Sequence, residues 1–220
     1  MPGVTVPLLF GGAVAALLGA VVWRKQVAQA RGAFLAQYDF SRLLDKRLAA
    51  RRPELDATQR REVFDGLRDW FQINHRAGRR KLAMPSQAVD DAWHEFILFT
   101  RNYQAFCHQG LGRFLHHVPA EAMNSPTQAQ AGLRRSWRLA CGHEGIDPKA
   151  PTHLPRLFAI DAALGLADGF RYQLDCMKAG AAGTGAYCAG HIGCGGGCSG
   201  CGGDSGCGGD GGCGGGCGGD

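Results

Sequence analysis

From Cys188 to Asp220 the chain is glycine and cysteine with little else, and no aliphatic side chain follows Ile192. Glycine loses the most backbone freedom on ordering and returns no apolar area, so this stretch has no means of folding by burial. Any fold must therefore be built by the residues that precede it. We expect residues 179–220 to form a disordered, low-complexity Gly/Cys-rich tail whose only chemistry is that of its thiols.

Those thiols fall at Cys188, Cys194, Cys198, Cys201, Cys207, Cys213 and Cys217. Cys198-Ser199-Gly200-Cys201 is a C-x-x-C pair, a spacing that lets two thiolates grip one soft ion, with Cys194 or His191 near enough to add a third ligand. A second such pair, which a structural zinc ribbon would want, is missing. The irregular intervals suit a flexible chelator of Zn(II) or Cu(I) better than one closed tetrahedral site. Glycine between ligands permits the positive backbone angles needed to wrap an ion, and Asp204, Asp210 and Asp220 keep the segment soluble. Two alternatives stand beside chelation. The cysteines are incidental to a low-complexity end, or the chain is a structural or interaction protein whose tail is oxidised or modified by a partner enzyme.

At the other end, Val4 to Trp23 carries no charge, about 20 residues that would cross a hydrocarbon core of about 30 Å as a helix. We expect a single-pass transmembrane anchor over 1–23, a helical domain over 24–178 and the tail beyond it. A cleaved signal peptide would want a positive start and a shorter apolar centre, and Met1 to Val6 has no Lys or Arg. The charges follow the span at Arg24, Lys25 and Arg31, which puts the body on the cytoplasmic side of the membrane. A reducing cytoplasm keeps thiols free for metal or redox work, whereas an oxidising exterior would pair the ten cysteines as disulfides.

The body reads as helices. Ala28 to Ala50 repeats Phe34, Leu35, Tyr38, Leu43, Leu44 and Leu48 along one face. A second helix starts at the cap Asp56 and ends near Gly78. A third runs from Ser86 with Val89, Trp93, Phe96, Ile97, Tyr103 and Phe106 on one stripe until Gly110. Ser125-Pro126 opens a fourth, ending at Gly142, and Leu154–Leu166 and Phe170–Met177 supply shorter ones. No alternating strand pattern stands out, so the fold class is all-α, a small helical bundle. Residues 24–81 carry 15 Lys/Arg against 7 Asp/Glu, while 82–187 carry 9 of each. This basic excess suits solvated helix faces, with some attraction to anionic membrane lipid at about 1 kcal/mol per residue. It lacks the interleaved aromatics of a nucleic-acid surface, and no nucleic-acid partner is expected.

The densest cluster of chemistry runs from Val89-Asp90-Asp91-Ala92-Trp93-His94-Glu95-Phe96 through Tyr103 and Cys107 to His116-His117-Val118-Pro119. Asp90 and His94 lie one helical turn apart and share a face, so a carboxylate and an imidazole can meet one cation or each other. Cys107 is about 20 Å further along a continuous axis, out of reach of the same ion. Gly110-Leu111-Gly112 lets the chain turn back, bringing His116 or His117 toward His94. A metal site of Asp90, His94 and one of that pair follows, the basis for a metalloenzyme reading. The plainer reading is packing, with a histidine bonded to a carbonyl and a buried cysteine acting as a small hydrophobe. No His-Glu-x-x-His, nucleophile elbow or phosphate loop is present, so enzymatic activity has no positive support in the motifs.

This stretch resembles the core motif of the glycine-rich domain-containing protein-like family, and the whole chain resembles bacterial membrane proteins that end in Gly/Cys-rich tails. The resemblance implies that the Trp93-His94 and His116-His117 elements belong to one domain. It implies no activity.

Overall fold

The structure, a computed structural model, describes residues 5–117, 126–174 and 187–188, with side chains over 16–117 and 128–174. Seven α-helices lie in these residues. α1 is Thr5–Gln37, α2 Ser41–Arg51, α3 Ala57–Ala77, α4 Gln87–Leu98 and α5 Thr100–Phe106, which runs into a π-helical turn at Cys107–Leu111. α6 is Pro126–Glu144 and α7 Arg156–Ala163. The helical body expected from periodicity is present.

The anchor is not. Among the described residues no helix is long and apolar enough to cross a membrane. This overturns the expected transmembrane segment over 1–23 and the single-pass membrane localisation with a cytoplasmic body that rested on it. The reason lies in how α1 is used. α1 is one helix of 33 residues, and its uncharged first part is not a separate element. The helix then continues without interruption through Arg24, Lys25 and Arg31 and lodges on the domain. The Ala28 carbonyl meets His75 Nε2 at 3.1 Å, and the Gly32 carbonyl accepts from Gln72 Nε2 at 2.7 Å. Leu35 is fully buried.

α3 is the central element, touching α1, α2, α4, α6 and α7. Its start is local chemistry. The Asp56 carboxylate accepts from the Thr58 and Gln59 amides, and the Gln59 side chain accepts from the Asp56 amide, a complete capping box. Around α3 gathers an aromatic core in which Phe71 and Phe106 meet edge to face at 4.6 Å and Phe40 and Phe96 at 5.3 Å.

Three boundaries differ from the periodic reading. The helix expected over 28–50 breaks at 38–40, where Phe40 turns into the core and Asp39 Oδ1 takes the Ser41 amide at 3.0 Å. The helix expected from Ser86 to Gly110 stops at Leu98 and restarts at Thr100, because Phe99 sits outside the helical region at φ −81°, ψ 61°. Of the piece expected over 170–177, Tyr172–Gln173 is a short strand paired in parallel with Tyr187–Cys188, and residues 175–177 lie outside the described residues. Apart from that short pairing, the tail of 179–220 lies outside the described residues.

Candidate metal centre

α4 carries three kinds of side chain on three faces, and its start is built from afar. Ser86 caps it, its hydroxyl accepting from the Val89 amide at 3.1 Å. Behind the cap lies the buried Asp161 of α7, whose carboxylate accepts four bonds. Oδ1 takes the Ser86 hydroxyl at 2.6 Å and the Ala88 amide at 3.2 Å, while Oδ2 takes the amides of Gln87 at 2.7 Å and Phe170 at 2.9 Å. A negative charge at a helix N-terminus is favourable, and here it also orients the whole motif. Gly169 packs against the same carboxylate, where any side chain would collide with Asp161.

Val89, Ala92, Trp93 and Phe96 face the core. Asp91 and Glu95, one turn apart, face α2. Asp91 is buried between Arg51 at 2.7 Å and Arg52 at 2.6 Å, and Glu95 pairs with Arg47. Arg52 continues to Asp168 through two bonds of 2.7 Å. This cluster is a tie between elements, its charges answered by one another.

Asp90 and His94 occupy the third face and gain a partner from the segment after the π-helical turn. His117 Nε2 lies 2.9 Å from Asp90 Oδ1, and its ring sits 4.6 Å from Trp93 and 4.2 Å from His94, centroid to centroid. His94 Nδ1 is 3.3 Å from Asp90 Oδ2 but makes no hydrogen bond, although that nitrogen is buried. One ligand atom from each of Asp90, His94 and His117 lies within 4.8 Å of the others. Bonds of about 2.0–2.2 Å to one ion put tetrahedral ligands roughly 3.4 Å apart, a separation of the order that these side chains already keep. His94 remains 41% exposed while His117 is 13% exposed. The centre thus has one anchored imidazole and one with access to solvent.

His116 does not take part. It is exposed and rests on the Phe114 ring at 4.8 Å. Of the adjacent pair only His117 is brought in. Cys107 is buried in the core and is not among the converging donors, and burial pushes its thiol pKa up. The proposed tail ligands from Cys194 to Cys217 lie outside the described residues, as does the side chain of Cys188.

Sequence reading did not give Trp93 and Tyr103 their roles. The Trp93 indole N–H donates to the Tyr103 hydroxyl at 3.1 Å, and that hydroxyl donates to the Leu115 carbonyl. Burial holds the phenol well above its ordinary pKa, so it stays a donor. On an unbroken helix the two residues would stand roughly 15 Å apart along the axis. The bend at Phe99 brings them together, and no local spacing announces it.

The chain matches the UCP032817-like family over residues 30–192, a span that includes Asp90, Trp93, His94, Tyr103 and His117. With most of its length inside that match, it belongs to the UCP032817-like family. No curated protein and no solved structure matches it.

Proposed function

We propose that this is a metal-binding protein whose helical domain holds one first-row divalent ion, Zn(II) foremost, through Asp90, His94 and His117. The observation that carries the reading is the convergence of three donor atoms from α4 and the 113–117 segment, beside which the Nδ1 of His94 is buried without a hydrogen bond. Two imidazoles and a carboxylate form an N/O donor set suited to Zn(II), Ni(II), Co(II) or Fe(II) rather than to Cu(I). Three protein ligands leave a position for water or a substrate atom, the arrangement of zinc sites that do chemistry. The C-terminal thiols form a second, softer region for Zn(II) or Cu(I), a reading supported by the Cys198-x-x-Cys201 pair within a coreless stretch.

The test separates the two regions in the full chain. With accessible thiols alkylated, the wild type is expected to bind one equivalent of Zn(II) or Co(II), and His94→Ala and His117→Ala to weaken binding at least tenfold. Equal binding by the wild type and both variants would sink the domain site. The reduced, unalkylated chain is expected to take up further equivalents of Cu(I), and uptake no greater than that of the alkylated chain removes the tail from the proposal.

A further inference from the structure

His117 reaches the centre on a segment tied to the body by side chains, with Arg113 donating to the Gly78 carbonyl and Leu115 buried in the core. Among the described residues, no backbone–backbone hydrogen bond outside helices and strands reaches 113–117. The segment leaves the π-helical turn through Gly112, whose φ of 68° is one that glycine adopts freely. Such a stretch has several ways to go, yet the centre needs its imidazole in one place.

Its backbone is fixed at Leu115, two residues before the ligand. Tyr103 donates to the Leu115 carbonyl and is itself aligned by the Trp93 indole N–H. The Tyr103 ring is wedged edge-on between Phe96 and Phe114, each at 5.3 Å, which leaves its hydroxyl one direction to point. Trp93 then serves twice, its N–H steering the phenol and its ring meeting that of His117 edge to face. The relay begins and ends beside the centre, because Trp93 precedes His94 on α4.

We infer that Tyr103 is the positioning residue of the metal centre: its hydroxyl, bridging Trp93 and the Leu115 carbonyl, holds the 113–117 segment so that His117 meets Asp90 and His94 before any ion arrives. This rests on the metal-binding reading above. Residues that orient metal ligands from behind typically change affinity 10–100-fold when removed, and a buried hydroxyl with two defined partners is well suited to that role.

Co(II) titration of the full, thiol-alkylated chain tests it, read by affinity and by the visible d–d spectrum. Tyr103→Phe removes only the bridging oxygen and is expected to weaken Co(II) binding 10–100-fold and to alter the spectrum, since His117 no longer arrives in a fixed pose. Leu115→Ala is the counterweight: it loses packing but keeps the carbonyl, so it is expected to be less stable yet bind Co(II) within about twofold of the parent. Parent-like affinity and spectrum in Tyr103→Phe overturn the assignment, as does an equal loss in Leu115→Ala. If Tyr103→Phe does not fold, the titration passes to Trp93→Phe, which removes the donor that aligns the hydroxyl. Weakening beyond that of Leu115→Ala supports the relay, and parity with it overturns it. A parent that binds no Co(II), or binds it equally with His94→Ala, refutes the metal reading itself rather than the role of Tyr103.

Discussion

Asp161 supports the candidate site without touching it. Its carboxylate accepts four hydrogen bonds around the first turn of α4 and the Phe170 amide, all inside the protein. Replacing it with asparagine puts an N–H2 where donors converge, leaving buried groups unsatisfied. We expect Asp161→Asn to cost about 2–4 kcal/mol in urea unfolding, more than a surface cap. A loss below roughly 0.5 kcal/mol would mean that water replaces the carboxylate and that α4 starts without it. Nothing local to Asp161 signals this duty, because Ser86 stands 75 residues away. Asp90 and His94 were legible because they lie on one helix four positions apart, where angular spacing is fixed by the backbone alone.

At the scale of elements, α2 is fastened to α4 and to the segment after α7 by charge. Arg52 sits between buried Asp91 and the more exposed Asp168. The hydrogen bond from Arg52 holds the Asp168 carboxyl below the usual carboxylate range. A depressed folded-state value means the stabilisation is complete above the unfolded pKa of about 3.9 and is lost as pH falls from there through the folded value. Thermal midpoints are therefore expected to fall more steeply as pH drops below about 4 in the wild type than in Asp168→Asn. The two should differ by only about 0.2–1 kcal/mol near neutrality, since the pair is half in solvent. Parallel acid profiles would show that the pairing has no weight. The start of α3 at Asp56 was readable from its cap and the gap between Leu98 and Thr100 was not. A cap is written in adjacent residues, whereas Phe99 leaves the helical region where Tyr103 swings back onto Trp93.

For the molecule as a whole, an ion held as proposed at Asp90, His94 and His117 would join α4 to the chain that follows the π-helical turn, and would so stabilise the native state. At a free concentration 100 times the dissociation constant, Zn(II) is expected to add about 2.7 kcal/mol, a rise of roughly 5–10 °C in Tm for a domain of this size. The rise should appear in the thiol-alkylated wild type, be reversed by chelator, and vanish in His94→Ala. An equal rise in that variant would assign the effect to other ligands. The family match of 30–192 covers this unit and ends before Cys194. The helical domain is thus what this chain shares with its family, and the cysteines from Cys194 onward lie beyond that shared span.

By itself the sequence determined the helical class, the capped start of α3, the shared face of Asp90 and His94, and a C-terminal stretch with no apolar side chains to bury. All of these are encoded within a few residues, where helical geometry and capping chemistry act directly. Only the tertiary structure decided that α1 runs on from its apolar run into the domain, that His117 rather than His116 joins the centre, and that Tyr103 and Asp161 support it from across the chain. These depend on which faces find each other once the aromatic core has closed, and periodicity along one helix does not carry that information.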